Sequence, residues 1–170
     1  MGIQEKLIKI NELDLKKRII ENKRVSKVIK GGRVLSFNAL VVVGDGINVV
    51  GFGFGKAVDV KTAIEKATND ARKNVVRISL LNGQLPHAMR FKYNANEIFI
   101  KPARKGTGII AGGAMRTVLE LAGVTDVSAK AYGSNKHNIV IATIEALKAL
   151  RTPYAIAKQR GIPLEKVFNG

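Results

Sequence analysis

The chain has 170 residues, no cysteine, and 29 Lys and Arg against 13 Asp and Glu, which gives a net charge of +16. The lack of cysteine excludes disulfides, thiol nucleophiles, iron–sulfur clusters and zinc fingers. With 46% hydrophobic residues the chain can bury a core, and the positive charge, shared evenly between its halves, indicates a polyanionic partner. No apolar run approaches the roughly 20 residues of a membrane span, so we expect a cytoplasmic protein without a membrane partner.

The N-terminal half predicts an arm followed by a small α+β domain. Residues 1–14 alternate aliphatic and charged side chains without a turn signal, which is typical of a flexible arm. Residues 15–80 predict three antiparallel strands joined by glycine turns, because apolar residues recur there at period two. Apolar residues at helical spacing from Val60 to Val75 predict one helix packed on these strands, with Asp59 as its N-cap.

The C-terminal half predicts a second unit of α/β type. Residues 81–90 contain turn signals and few apolar residues, so we place a linker there. Residues 91–152 alternate short strands with two helices, the first of which is stopped by Gly123, and predict a two-layer α/β sandwich. Residues 153–170 form a C-terminal tail with short helical turns on either side of Gly161.

The first predicted hairpin is the main candidate for binding RNA. The segment from Lys16 to Arg33 carries eight basic residues and a single acidic one, Glu21. At its tip, Gly31 and Gly32 have no Cβ atoms and let the backbone approach phosphates closely. An ordinary solvated hairpin rarely needs this density of one charge. The candidate RNA-binding residues of the hairpin are Arg24, Ser26, Lys27, Lys30, Gly31, Gly32, Arg33 and Phe37.

The third predicted strand has glycine at every second position from Gly51 to Gly55. Residues two apart on a strand share a face, so the glycines form a bare face and Phe52 and Phe54 point to the other one. The bare face either lets a partner's backbone lie against the sheet or makes room for the helix that follows. In both cases Phe52, Phe54 and Lys56 are candidates for RNA contact, because exposed aromatic rings can stack on bases.

A second glycine cluster, from Gly106 to Gly113, precedes a predicted helix and is the best candidate for a small-molecule site. Its amides could bind an anion at the N-terminus of that helix. A glycine-rich turn before a closely packed helix explains the same residues. The G-x-G-x-x-G pattern is incomplete here, and so is the P-loop pattern at Gly55-Lys56.

Nothing in the sequence predicts catalysis. The two histidines, His87 and His137, have no nearby carboxylate cluster and are expected on solvated surfaces. The acidic residues are scattered singly, so paired carboxylates for general acid–base catalysis or for a metal are not indicated. We therefore expect a protein that is not an enzyme and that uses no cofactor, no metal and no small-molecule substrate.

Five motifs follow one another along the chain. They are RVSKVIKGGRVLSF at 24–37, VVGDG at 42–46, VGFGFGKA at 50–57, GTGIIAGGAMR at 106–116 and AKAYGS at 129–134. Together they resemble the bacterial small-subunit ribosomal protein S5 family, over nearly the whole chain. The resemblance implies an N-terminal domain similar to double-stranded-RNA-binding domains and a C-terminal α/β domain with a left-handed crossover.

The resemblance also implies a function and partners. It implies a structural constituent of the small ribosomal subunit that binds small-subunit (16S) rRNA near the central pseudoknot and neck and supports translational accuracy. The implied partners are ribosomal proteins four and eight and the mRNA, near the channel through which it enters. By position, residues 26–33 correspond to the loop that reaches rRNA near the spectinomycin site. The segment facing ribosomal protein four comprises Gly106, Thr107, Gly108, Gly112, Gly113 and Arg116, and Lys105 departs from the small or acidic residue typical there.

Overall fold

The structure, a computed structural model, describes residues 14–169 and their side chains up to residue 167. The predicted N-terminal arm, apart from Asp14, lies outside the described residues. The strands are β1 Lys16–Ile29, β2 Gly32–Gly44, β3 Val49–Ala57, β4 Val75–Arg77, β5 Met89–Tyr93, β6 Asn96–Pro102, β7 Ile109–Ile110 and β8 Val127–Tyr132. The helices are α1 Val60–Lys73, α2 Gly113–Leu121, α3 Lys136–Ala149, α4 Pro153–Arg160 and α5 Leu164–Asn169. No helix between residues 14 and 169 is long and apolar enough to cross a membrane.

The first sheet is antiparallel and has four strands in the order β1-β2-β3-β4. The first three agree with the strands predicted from the sequence. The fourth strand uses residues that had been assigned to the end of the helix, because α1 ends at Lys73 and Val75 already pairs with Gly51 of β3. Asp59 does occupy the N-cap position of α1, but its side chain makes no capping hydrogen bond.

The glycines of β3 face α1. A Cβ atom at Gly53 would overlap the backbone of Ala67 and Ala71, and one at Gly55 would overlap the backbone of Ala63 and Ala67. These alanines are fully buried, and the small residues on both elements let the strand and the helix lie closer together than larger side chains would allow. The bare face of the strand is therefore used to accommodate the helix, the second of the two interpretations that the sequence left open.

The second sheet has the strand order β5-β6-β8-β7. β5, β6 and β8 are antiparallel, whereas β7 pairs in parallel with β8. α2 connects β7 to β8 and so forms a crossover between parallel strands, whose left-handed sense stays a prediction. Both α2 and α3 cover one face of this sheet, because Ile98 and Ile100 of β6 are buried with Leu119 of α2 and Leu147 of α3. The two layers agree with the predicted α+β class.

One hydrophobic core joins the two sheets. Leu40, Val42 and Val50 lie on the face of the first sheet opposite α1, and they are buried in the same cluster as residues of α2 and α3. The turn between β2 and β3 also rests on the end of α2, because Gly46 donates its backbone N–H to the carbonyl of Leu121 at 2.9 Å. The first sheet is therefore covered on both faces, by α1 and by the C-terminal unit.

The segments predicted as linker and tail have structure of their own. Within residues 81–90, Leu85 is buried in the shared core and Met89 begins β5, so this segment is part of the packed structure. The hydroxyl of Thr152, directly before the tail, caps α4, and this helix ends at Gly161 with a positive φ of 66°. α4 and α5 then form a short helical pair.

Candidate RNA-binding surface

The β1–β2 hairpin extends beyond the covered part of the first sheet. Its strands stay paired up to Ile29 and Gly32. In β2 the residues from Ala39 to Gly44 are buried, whereas those from Gly32 to Leu35 are exposed, and so are the opposing residues of β1. The distal half of the hairpin is thus a two-stranded ribbon that stands out from the core with its side chains in solvent. We refer to it as the ribbon.

Two residues, Lys30 and Gly31, form the turn at the tip of the ribbon. Gly32 follows with a φ of +136°, a backbone conformation that residues with side chains rarely adopt. Gly31 lies outside that region, and a Cβ atom there would meet nothing within 4 Å. The fold therefore requires glycine at position 32 but not at position 31. The bare backbone at Gly31 instead leaves the tip able to lie close against a partner.

Part of the positive charge at the base of the hairpin is ion-paired. Glu21 accepts hydrogen bonds there from Lys136 of α3 at 2.9 Å and from Lys23 at 3.1 Å. The hydrogen bond from Lys136 lowers the pKa of the Glu21 carboxyl by more than its partial burial raises it. The base is therefore an ion-paired contact between the first sheet and the C-terminal unit.

Exposed cations are concentrated toward the tip of the ribbon. The tip cations are Arg24, Lys27, Lys30 and Arg33, and all four side chains are exposed. Within residues 14–169 none of them forms an ion pair with a carboxylate. Four exposed cations on a narrow projecting ribbon concentrate the positive potential of the protein at this place.

The tip cations point to both faces of the ribbon. Opposing residues of antiparallel strands share a face, and successive residues alternate between faces. Lys27 lies opposite Val34 on one face, and Arg33 lies opposite Val28, whose side chain is 72% exposed, on the other. Each face therefore offers a cation beside an exposed aliphatic side chain, and Ser26 lies on the Arg33 face.

The aromatic candidates for RNA contact also pack against other residues of the protein. Phe37 packs against the core between the first sheet and α1. Phe52 and Phe54 point to the opposite face, where the ring of His137 lies 6.3 and 5.6 Å from their centroids. Phe54 keeps 45% of its surface exposed, and Lys56 beyond it is also exposed. The expectation that His137 lies on a solvated surface is corrected, because its ring is half-buried and its Nδ1 has no hydrogen-bond partner in the described chain.

The glycine-rich loop before α2 is a tight turn. Gly106 and Gly108 have positive φ values of 87° and 72°. Between them, Thr107 donates its backbone N–H and its hydroxyl to one carbonyl earlier in the loop, at 3.1 and 2.7 Å. Gly112 and Gly113 follow at the start of α2, where both are exposed. The loop therefore presents its surface to solvent on a hydrogen-bonded turn.

A carboxylate that the sequence analysis did not connect with this loop lies against it. Asp126 is 8% exposed and accepts a hydrogen bond from the backbone N–H of Gly108 at 2.9 Å. This hydrogen bond lowers the pKa of the Asp126 carboxyl against the opposing effect of burial. A phosphate group at the loop would meet this negative charge, so the structure disfavours nucleotide binding there.

Arg116, the last residue of the predicted protein-contact segment, lies on α2 and is exposed. Its Nε donates to Oε1 of Glu120 at 2.9 Å, one helical turn later. The other carboxylate oxygen of Glu120 lies 4.0 Å from Arg18 of β1. This chain of ion pairs joins α2 to the base of the hairpin. The predicted RNA contacts thus lie on the strands and turn of the first sheet, whereas the predicted protein contacts lie on α2 and the loop before it.

Two family models match the chain. The model described as the N-terminal domain of ribosomal protein S5 matches residues 15–79, and that described as the C-terminal domain matches residues 91–160. The chain belongs to the ribosomal protein S5 family. Members of this family are structural proteins, so the expectation that the chain is not an enzyme is confirmed.

Curated relatives show the same similarity along the whole chain. The small ribosomal subunit protein uS5 of Bacteroides thetaiotaomicron is 50% identical over 170 residues, which cover 99% of each chain. The proteins of the same name from Porphyromonas gingivalis and Tolumonas auensis are each 51% identical over 161 and 157 residues. These matches cover 94% and 92% of this chain, and 94% and 95% of the relatives. The similarity to S5 proteins therefore includes both structural units and the segment between them.

In this S5-family chain, the residues that the sequence analysis missed are those that hold the candidate surfaces in place. Asp126 anchors the glycine loop, and it directly precedes β8, whose first residue, Val127, is fully buried. Glu21 and Lys136 fix the base of the hairpin although more than a hundred residues separate them. No local pattern indicates such a pair.

Proposed function

We propose that this S5-family protein is a structural constituent of the small ribosomal subunit that binds and organises small-subunit rRNA. The observation that carries the proposal is the projecting ribbon, whose tip cations have no ion-pair partner within residues 14–169. The name of the relatives that are half identical over the whole chain supports the same setting. In that setting the protein lies in cytoplasmic ribosomes.

The physical role of the ribbon is to hold RNA backbones together. Neighbouring RNA helices repel each other because each carries a dense row of phosphates. Bound Lys and Arg side chains neutralise phosphates and so offset that repulsion, and the counterions they release favour binding. Since Lys27 and Arg33 lie on opposite faces, the ribbon can contact two backbones at once. Contacts of this kind read the shape of the RNA and position the protein without reading the base sequence.

The finer location is also part of the proposal. We infer that residues 26–33 reach rRNA near the central pseudoknot and the neck, because they correspond in position to the family's rRNA-binding loop. The exposed loop from Gly106 to Gly113, followed by Arg116, is assigned to the contact with ribosomal protein four. We also assign to this protein contacts with ribosomal protein eight and with mRNA near its entry channel. Through these contacts the protein supports translational accuracy.

Incorporation into ribosomes tests the proposal. A tagged copy is expressed in the cells from which the gene comes, and the lysate is separated on a sucrose gradient. We expect the protein to sediment with small subunits. The variant Lys27→Glu/Lys30→Glu/Arg33→Glu should shift toward the top of the gradient, because three phosphate contacts become repulsive.

A matched control separates the ribbon from the total charge. The variant Lys61→Glu/Lys66→Glu/Arg72→Glu changes the net charge equally on the exposed side of α1, and it should sediment like the parent. An equal shift in both variants would refute the assignment to the ribbon. A parent protein that stays outside the ribosomal fractions would refute the proposal and would instead favour a free-standing regulator that binds double-stranded RNA.

A further inference from the structure

Within residues 14–169, α2 and α3 cover one face of the second sheet and no helix packs on the other. Side chains alternate along its strands, and those of Ile98 and Ile100 point toward α2 and α3. The residues between them and their cross-strand neighbours point the other way. We call this side the open face; its residues are Arg90, Lys92, Glu97, Phe99, Lys101, Ile110, Ser128, Lys130 and Tyr132.

The open face carries an excess of positive charge. It holds four cations and, among the residues that the structure describes, one carboxylate, that of Glu97. Glu97 is already ion-paired with Arg90 at 3.3 Å. The exposed side chains of Lys92, Lys101 and Lys130 have no ion-pair partner within residues 14–169. Charge complementarity therefore favours a polyanion as the partner of this face.

Two aromatic rings lie among these cations. Phe99 of β6 lies opposite Lys130 of β8, and Tyr132 is the next residue of β8 on the same face. Such diagonal neighbours are roughly 7–8 Å apart. Tyr132 is 50% exposed, and the guanidinium of Arg90 lies 5.7 Å from the centroid of the Phe99 ring. Aromatic and guanidinium planes in a basic surface are the groups on which the bases of single-stranded RNA stack.

The geometry favours an unpaired strand over a duplex. In a double helix the faces of the bases are covered by their neighbours, so rings on a flat sheet cannot reach them. In an unpaired strand the bases are free to turn toward the protein while the phosphates stay near the lysines. Exposed rings on a flat sheet face would add nothing to the neutralisation of a duplex backbone.

We propose that the open face of the second sheet binds an unpaired RNA strand, with bases stacked on Phe99 and Tyr132 and phosphates near Lys92, Lys101 and Lys130. The open face would be a second RNA site beside the ribbon. This inference rests on the proposed function only in taking RNA as the ligand. The site lies on the C-terminal unit, whereas the ribbon belongs to the N-terminal one.

Fluorescence of 2-aminopurine tests the stacking. A short single-stranded RNA that contains 2-aminopurine is titrated with the full-length protein, and stacking on a ring changes the emission in a way that charge attraction alone does not. In Tyr132→Leu and Phe99→Leu we expect the emission change to be largely lost and the affinity to fall about tenfold. Tyr154→Leu, which alters a 72% exposed tyrosine on α4, should behave like the parent.

Thermal unfolding of each variant shows whether it is folded. If Phe99→Leu fails to fold, Tyr132→Leu and Lys101→Gln/Lys130→Gln decide the result, because those side chains are exposed. Parent-like emission and affinity in the folded open-face variants would overturn the proposal. So would displacement of the probe by a blunt RNA duplex or by an acidic polypeptide as readily as by unlabelled single-stranded RNA.

The two proposed RNA sites can be refuted independently of each other. The ribbon variant Lys27→Glu/Lys30→Glu/Arg33→Glu should keep the emission change with the single-stranded probe. Loss of that change in the ribbon variant, with no loss in Tyr132→Leu, would assign the single-stranded RNA to the ribbon and overturn this inference alone. Failure of the parent to sediment with ribosomes would leave the inference standing and overturn only the proposed function.

Discussion

Replacing Gly53 by alanine tests the packing on which the hairpin is mounted. The new Cβ atom would overlap the carbonyl oxygen of Ala67 and the amide nitrogen of Ala71. Both are backbone atoms of α1, so no side chain can rotate out of the way and the helix must move off the sheet.

The size of the effect follows from two opposing terms. Adding a methyl group to a packed core costs about 1–3 kcal/mol, and a backbone obstacle places Gly53→Ala in the upper half of that range. Alanine also restricts the unfolded chain, which returns about 0.4–1 kcal/mol. We expect the free energy of unfolding to fall by about 2 kcal/mol, which lowers Tm by about 4–8 °C for a chain of this length.

Gly31→Ala is the matched control, because a Cβ atom at the ribbon tip meets nothing within 4 Å. Its Tm should equal or slightly exceed that of the parent, while its affinity for a small-subunit rRNA fragment should fall, since the methyl group keeps the tip backbone away from RNA. Gly53→Ala should have a lower Tm than the parent, but below that Tm its affinity for the rRNA fragment should equal that of the parent. Circular dichroism melting and filter-binding titrations measure the two quantities.

Two results would contradict these expectations. A Gly53→Ala protein as stable as the parent would show that the strand and helix backbones do not limit the residue at this position. A Gly31→Ala protein with the affinity of the parent would show that the RNA does not approach the backbone of the tip.

Neutralising the ribbon with Lys27→Gln/Lys30→Gln/Arg33→Gln should reduce the slope of log K against log salt for an rRNA fragment by about 2–3, because each lost phosphate contact removes about 0.7–0.9. Asp126→Asn should weaken the loss of stability in acid, measured by urea unfolding at neutral and acidic pH. The pKa of Asp126 is lowered in the fold, so its stabilising effect is present above its ordinary value of 3.8 and is lost as the pH falls through the folded value. Arg116→Gln should raise miscoding in a reporter assay with little loss of rRNA affinity, because it lies on the surface assigned to ribosomal protein four.

Each of these three predictions has its own contrary outcome. For Lys61→Gln/Lys66→Gln/Arg72→Gln, the slope of log K against log salt should match that of the parent. An equal decrease in this variant would mean that positive charge anywhere on the protein is enough for binding RNA. An acid-unfolding curve unchanged by the Asp126 substitution would contradict the role of its hydrogen bonds. Normal decoding in the α2 variant would count against the protein-four assignment, and Lys148→Gln, which breaks a similar surface pair on α3, serves as its control.

Periodicity and turn residues are enough to predict most of the elements. The period of two after Gly32 predicts β2, and the end of α2 before Gly123 agrees with the positive φ of that glycine, 79°. The run from Ala39 to Val43 is apolar at every position, which is typical of a strand buried on both faces. The structure shows that α1 and the C-terminal unit bury it, and no local pattern could identify these two partners.

Of the two candidate RNA-binding surfaces, one could be predicted from the sequence and the other could not. The ribbon was predictable because cations and glycines are concentrated in one short segment. The open face was not identified, although the alternation at Lys92, Phe99, Lys101, Lys130 and Tyr132 is present in the sequence. Its residues come from separate strands, and only the pairing of β5, β6 and β8 brings them to one side.

The cover on both faces of the first sheet has a consequence for the synthesis of the chain. The last strand of that sheet ends at Arg77, whereas the α2 residues that bury Leu40 and Val42 end at Leu121, about 40 residues later. At common rates of translation the nascent chain spends a few seconds with this aliphatic surface in water. During that interval the nascent chain therefore depends on a chaperone, or on rapid elongation by the ribosome, to stay soluble.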